Sequence, residues 1–498
     1  MTLINKTEIK IFLIFWIIYI FHAHWVGWAE FASYDLTMSI SNEKRFEIDS
    51  YYNNTGDRSF YKEHYYSNKN PGASFINILP YSTLKFWYSV LPISKYTENT
   101  IVWQEDVRTV TEYGESVMYF VVNPRIFNQL AQWFSIIFTT AFISAFSVVI
   151  IYKISGKLKL GENKRKLICV AFGLGTMIFA FATNFFQHAF GMFAGLLTFY
   201  LLFTRGNKLL YQFLAGTVLG YAIVSDGNFF YLVFSFIIYH LIKFMSFRKI
   251  SLFSIGIVIG ILPLLFYNYS IFSSIWQNIY YYSDPTVRSD IQKEFGFNLP
   301  NLFLVYRHTF DTYRGLFIFN PILILSFLGF PLLFKEFKKE AYLVIIFYLF
   351  QLLFYSSFNT DFTLGASFGP RQYLPSIPFL TLPLIMFLRK EKSMILFLPL
   401  LILSVFINSV LSNFDWETLL IDNSKPTLLV KRGYQEKATN SFETLRNPLT
   451  EWYTPHFFKY GLKSRVIDGI ITKNINLKLQ HTGFSIHSLP FFGLLIFL

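Results

Sequence analysis

Ser74–Leu91 reads SFINILPYSTLKFWYSVL, and how it is read decides which way the rest of the chain is threaded. It is apolar enough to suggest a membrane span. Taken as one, it would invert every later connection.

Outward from this stretch, the chain is built of apolar runs. Of its 498 residues, 53% are hydrophobic, 20% aromatic and only 15% charged, and mean hydropathy is +0.40. A soluble protein averages about 25% charged residues. Repeated runs of about 18 or more apolar residues, each able to cross ~30 Å of hydrocarbon as a helix, predict an all-α polytopic membrane protein. The spans expected are approximately 9–28, 128–152, 167–184, 188–204, 209–224, 229–243, 250–271, 317–334, 341–357, 373–388 and 393–412, with a twelfth, shorter run at 484–498. Eleven to twelve transmembrane helices result.

The net charge of +13 is not spread as a nucleic-acid-binding stripe. Lys153, Lys157, Lys159, Lys164, Arg165 and Lys166 share one short connection with a single acid, Glu162. Arg205 and Lys208 follow, then Lys243, Arg248 and Lys249, then Lys335, Lys338 and Lys339, then Arg389, Lys390 and Lys392. Every second connection is thus short and basic, which places all five, and the N-terminus, in the cytoplasm. That parity holds only if Ser74–Leu91 lies along the outer surface as an interfacial helix, with Lys85 snorkelling and Trp87 and Tyr88 at headgroup depth. Residues 29–127 then form one large external loop carrying interfacial helices. Residues 1–412 make the membrane module, and 413–498 an external C-terminal segment ending in the run at 484–498. The first apolar run continues into His22-Ala23-His24-Trp25 with no small-residue cleavage site, so it reads as an uncleaved span. The lone Cys169 sits in a span and can form no intrachain disulfide.

Soluble-enzyme signatures are missing from the sequence: no Walker loop, dinucleotide fingerprint, GxSxG elbow or HExxH pair, so no nucleotide cofactor is expected. His22 and His24, two apart on a helix, point to different faces and do not share a metal easily. Ionisable groups within the spans are sparse. The acids gather in outer connections instead: Glu30, Asp35, Glu47, Asp49 and Asp57 in the first, Asp284 and Asp311 later, and Asp361 before the tenth span. Proton- and ion-coupled transporters keep such groups at membrane depth, so this distribution favours chemistry at the outer interface.

Several outer segments resemble a known family. These are Ser33-Tyr34-Asp35-Leu36-Thr37, Phe46-Glu47-Ile48-Asp49-Ser50-Tyr51, Thr55-Gly56-Asp57 and His64-Tyr65-Tyr66-Ser67-Asn68-Lys69-Asn70-Pro71-Gly72. Three later stretches belong with them: Gly173-Leu174-Gly175-Thr176 through Asn184, Phe185, Phe186 and His188; Tyr313-Arg314-Gly315-Leu316-Phe317; and Gly365-Ala366-Ser367-Phe368-Gly369-Pro370-Arg371. In order and placement they are similar to glycosyltransferase family 39-like membrane enzymes of the GT-C superfamily, which includes protein O-mannosyltransferases and aminoarabinose transferases. The resemblance covers roughly residues 10–390.

It implies a GT-C-like fold and transfer of a sugar from a polyprenyl-phosphate donor to an acceptor hydroxyl on a glycan, lipid or protein outside the membrane. A first-loop carboxylate would act as general base, with inversion at the anomeric carbon. Basic groups or a divalent metal would meet the charge growing on the phosphate. Asp35 is the leading base on this resemblance, with Glu30 second because it lies nearer the first span; each competes with a capping or solvated role. Asp57 is expected to help bind acceptor or sugar, against a plain turn role after Gly56. Lys69, Arg371 and Arg314 are the expected phosphate ligands, Arg371 against a role in anchoring to lipid headgroups. His188 is a candidate sugar or loop contact, competing with a satisfied interfacial histidine. Where family members commonly carry an acid this chain has Asn68, so no metal or ion pair built on that carboxylate carries over, and Lys69 is left more available for phosphate. A polyprenyl-lipid flippase, needing no catalytic carboxylate, and a transferase relative without activity are the rival readings.

Overall fold

The computed structural model describes residues 5–24, 27–90, 104–106, 119–121, 126–284, 299–357 apart from 313, and 369–412, together with residues 454 and 458. Asp361, Tyr313, Gly365 to Phe368, most of 413–483 and the run at 484–498 lie outside the described residues.

The chain is an integral membrane protein with a mostly helical, polytopic fold. Among the described residues, five helices are long and apolar enough to cross a membrane: Leu130–Lys157, Gly227–Phe244, Phe247–Phe272, Lys338–Ser356 and Ser393–Leu411. Inside hydrocarbon every backbone donor and acceptor must be paired within the chain, which only helices of this length achieve unaided. The first run forms Lys6–Phe21, started by a reciprocal cap in which Asn5 and Glu8 each accept the other's backbone N–H.

Two expected spans are broken. The run at 167–184 is helical over Glu162–Gly173 and again over Ile178–Ala182, and that at 317–334 over Leu316–Phe319, Pro321–Ile324 and Leu325–Glu336. Proline cannot donate into a continuing helix, so Pro321 enforces the second break. The second break serves the first: the Met177 N–H donates to the side-chain Oδ1 of Asn320 at 2.7 Å, with Asn320 fully buried. Hydropathy registers the apolar run and is blind to such a break.

Close packing is visible where Leu209–Ser225 crosses Phe247–Phe272. A Cβ at Gly216 would lie 2.0 Å from the Phe253 carbonyl oxygen, and one at Gly256 would lie 2.2 Å from that of Phe213. Backbone meets backbone here, the arrangement small residues permit between helices in lipid.

The five basic connections are joined to one another. Lys153 pairs with Glu8 at 2.9 Å, and Lys164 donates to the Leu388 carbonyl. Arg389 pairs with Glu336 at 2.7 Å, and Lys339 donates to the Lys243 carbonyl. Lys243 in turn pairs with Glu340 at 2.7 Å, and Lys249 donates to Asn207 at 3.2 Å. All five therefore share one end of the bundle, the pattern that the loop parity requires.

The opposite end carries the first polar loop. It holds the helix Trp28–Met38, a short hairpin of Arg58–Tyr61 paired antiparallel with His64–Ser67, and the helix Gly72–Val90. The hairpin turn is Lys62-Glu63, both residues in the left-handed region at φ 47° and 66°. Gly72–Val90 contains most of the ambiguous stretch; Leu79, Phe86, Trp87 and Val90 lie exposed on it. Two details differ from the interfacial picture. Lys85 donates to Asn42 at 2.7 Å, and Tyr88 is buried with its ring 4.9 Å from that of Phe127.

Candidate functional site

The residues singled out in the first loop are held by three short segments. Thr55 donates to the Trp28 carbonyl and accepts from the Asp57 N–H, pinning the turn before the hairpin to the start of Trp28–Met38. Asn68 then returns alongside, its N–H donating to the Asp57 carbonyl at 3.1 Å. Strand pairing thus sets Asp57 and Lys69 side by side, and Lys69 Nζ lies 2.9 Å from Asp57 Oδ2. Lys69 is ion-paired, and in this the structure corrects the expectation of an available lysine.

Asp35 is fully buried on Trp28–Met38. Asn54 Nδ2 donates to its Oδ1 at 2.9 Å, and its Oδ2 has no hydrogen-bond partner among the described residues. Burial pushes this carboxyl well above the usual range, against the opposing pull of the Asn54 amide. Glu30, also buried, accepts the Gly27 N–H at 3.1 Å and the Phe185 N–H at 2.7 Å. It caps its own helix and ties that helix to the segment leading to His188.

His188 begins the helix His188–Arg205, and its Nε2 stands 3.8 Å from Asp226 Oδ2. Gln187 donates to the same carboxylate at 3.3 Å, and the Asn228 N–H to its other oxygen at 3.0 Å. Burial raises the Asp226 carboxyl; the Asn228 and Gln187 bonds and the charges of Lys69 and Arg371 pull it back. The His188 ring lies 6.0 Å from that of Phe186. His188 and Asp226 are thus buried together, while Lys69, paired with Asp57, and Arg371 are half-buried.

Arg371 arrives on the turn Arg371–Ser376, its guanidinium 5.1 Å from the centre of the Phe186 ring. The backbone ahead of it requires glycine: Gly369 has φ +52°, and a Cβ there would strike Met177 Sδ at 2.5 Å. Gln351 Nε2 donates to the Gln372 carbonyl at 2.8 Å and fixes the next residue. Asn70 Nδ2 donates to the Ile223 carbonyl at 2.9 Å, docking the Lys69 segment onto the helix that ends beside Asp226. Arg314 is half-buried in the turn before Leu316–Phe319, whose last residue packs beside Gly369.

Asp226, Gln187 and Asn54 escaped the sequence reading. Ser225–Asn228 reads as a tight turn, and only the presence of an acid in so apolar a neighbourhood marks Asp226. Among the described residues no three His, Cys, Asp or Glu side chains converge as metal ligands.

No family model matches the chain, and no curated protein does. Among solved structures the chain is similar to ArnT from Cupriavidus metallidurans bound to undecaprenyl phosphate, at 12% identity and a TM-score of 0.48, covering 97% of this chain and 83% of that one. The apo state of the same protein aligns over the same shares at 12% identity and a TM-score of 0.44.

Proposed function

We propose that this chain is a GT-C-like membrane glycosyltransferase that moves a sugar from a polyprenyl-phosphate donor to an acceptor hydroxyl, with its site on the outer face and its N-terminus in the cytoplasm. The observation that carries the reading is the approach of two cations to the buried His188–Asp226 pair: Arg371 over the Phe186 ring, itself 6.0 Å from the ring of His188, and Lys69 on the segment that Asn70 docks beside Asp226. One cation comes from the first loop and the other from a turn some three hundred residues later in sequence, at the end of the bundle away from the five linked basic connections. Two half-buried cations held by fixed partners suit an anion at headgroup height, where screening is weaker than in bulk water. The order of the outer motifs supplies the sugar-transfer half of the reading.

Asp35 serves as base. With Oδ1 held by Asn54 and burial raising its proton affinity, Oδ2 takes the acceptor proton as the hydroxyl attacks the anomeric carbon. The carbon–phosphate oxygen bond breaks on the opposite face, giving inversion, and Lys69 and Arg371 meet the charge left on the lipid phosphate. Asp57 orients Lys69, and the short segment from Asn54 to Asp57 joins base to cation. Arg314 and His188 stand as further contacts to donor and sugar. Residues 1–412 form the catalytic module and 413–498 an outer segment.

Purified protein in lipid, given polyprenyl-phosphate sugars and candidate acceptors, should transfer sugar, and Asp35→Asn should not. Undiminished transfer by Asp35→Asn removes Asp35 as the base. Glycolipid crossing vesicle membranes with no donor consumed replaces the transferase with the flippase.

A further inference from the structure

Asn68 is 2% exposed, and neither its Oδ1 nor its Nδ2 has a hydrogen-bond partner among the described residues. Buried carboxamides are almost always paired, and leaving both ends unmet is costly enough to ask what the group is kept for. Its position supplies an answer. Its backbone N–H donates to the Asp57 carbonyl, and the Asp57 carboxylate pairs with Lys69, the next residue, so Asn68 is held in the segment that carries the cation proposed to hold the lipid phosphate.

We infer that Asn68 is a specificity-determining residue that reads neutral hydroxyls of the donor's sugar, adjacent to the phosphate held by Lys69 and Arg371. This rests on the reading of the site given above. A carboxamide presents a donor and an acceptor with no charge. An ammonium would satisfy only Oδ1 and a carboxylate only Nδ2, whereas two neighbouring ring hydroxyls satisfy both. The local field agrees, because Lys69 and Asp57 already offset one another. The substrate class implied is a polyprenyl-phosphate carrying an uncharged, hydroxyl-rich sugar.

The test is binding in lipid nanodiscs, with undecaprenyl phosphate and undecaprenyl-phospho-glucose, -mannose and -galactose as probes. The wild type should bind at least one sugar lipid more tightly than the bare phosphate. Asn68→Ala and the shape-matched Asn68→Leu should each lose about tenfold on that sugar lipid and keep undecaprenyl phosphate within about twofold. Asn68→Leu should also melt at a higher temperature than wild type, since it removes two unmet polar atoms without opening a cavity; a purely structural asparagine would move the other way. Equal affinity of variants and wild type for the sugar lipid overturns the inference, as does equal loss on both lipids. If the wild type binds no lipid phosphate at all, the reading of the site fails and this inference with it.

Discussion

Asn54 donates its side-chain amide to Asp35 at 2.9 Å, both residues buried, and so occupies one oxygen of the carboxylate, the other having no hydrogen-bond partner among the described residues. A bond of this kind stabilises the ionised form and opposes burial. Removing it in Asn54→Ala should move the ascending limb of the pH–rate profile to higher pH, because the base then holds its proton more tightly. Transfer at saturating pH should persist, whereas Asp35→Asn should lose about a hundredfold or more at every pH. Asparagine at position 35 still accepts from Asn54, so the variant keeps its fold, and the loss reports chemistry. An unmoved limb in Asn54→Ala would detach Asn54 from the base.

Lys69 and Arg371 should respond differently to substitution. Arg371 presents a planar fork above Phe186, two residues after Gly369 at φ +52°. Arg371→Lys should therefore weaken undecaprenyl phosphate binding about tenfold, since an ammonium reproduces neither the fork nor the ring contact. Lys69→Ala should do the same, and in addition should destabilise the protein by removing the cation that pairs with the buried Asp57 carboxylate. Double substitution of Lys69 and Asp57 to Ala should recover stability without recovering binding. Melting temperature and lipid affinity, measured on the same preparations, separate the two effects.

Glu30 illustrates how a sequence position misleads when partners are unseen. It stands closest to the end of the first span, yet its two carboxylate oxygens are committed to the N–H groups of Gly27 and Phe185. Glu30→Gln can keep only part of that arrangement, because an amide offers one acceptor oxygen. It should lower stability by about 1–3 kcal/mol, read as a fall in the urea or thermal midpoint in detergent. A variant as stable as wild type would mean that these bonds contribute nothing.

The helical segments and the shared end of the basic connections were legible because they rest on composition and charge, which chain topology cannot hide. The breaks at Leu174–Met177 and Asn320–Pro321 were not, since the Met177 N–H finds its acceptor on the Asn320 side chain 143 residues away. Lys69 and Arg371 were legible as cations in polar segments; that Asp57 engages one of them depends on strand register. Asp226 and Asn54 were invisible for the same reason, their roles being set by what packs against them. The hairpin was hidden by its own turn. A two-residue turn of this kind normally announces itself as Asn-Gly, and this chain writes Lys62-Glu63 instead.

That turn makes a prediction of its own. Lys62 and Glu63 both pay the steric cost of a left-handed backbone, at φ 47° and 66°. Replacing them by Asn and Gly should stabilise the hairpin by about 1–2 kcal/mol, seen as slower hydrogen exchange at the cross-strand N–H groups. Exchange unchanged or faster would show that the two side chains hold the turn by contacts that outweigh the strain.

His64 Nδ1 lies 2.7 Å from Asp49 Oδ2, and Asp49 Oδ1 also accepts the Tyr65 N–H at 2.7 Å. The Asp49 hydrogen bond raises the imidazole pKa above its ordinary value. A histidine whose folded pKa is raised adds stability that is fully present below the unfolded value of about 6.5 and is lost as pH climbs through the folded value. Local opening of the hairpin, followed by hydrogen exchange corrected for its intrinsic pH dependence, should therefore become easier as pH rises from about 6 to 8. His64→Gln should abolish that dependence, and the ring of His64 should titrate above the free imidazole in a proton–carbon NMR spectrum. A His64 that titrates below 6.5 would reverse the sign and remove the Asp49 bond as its cause.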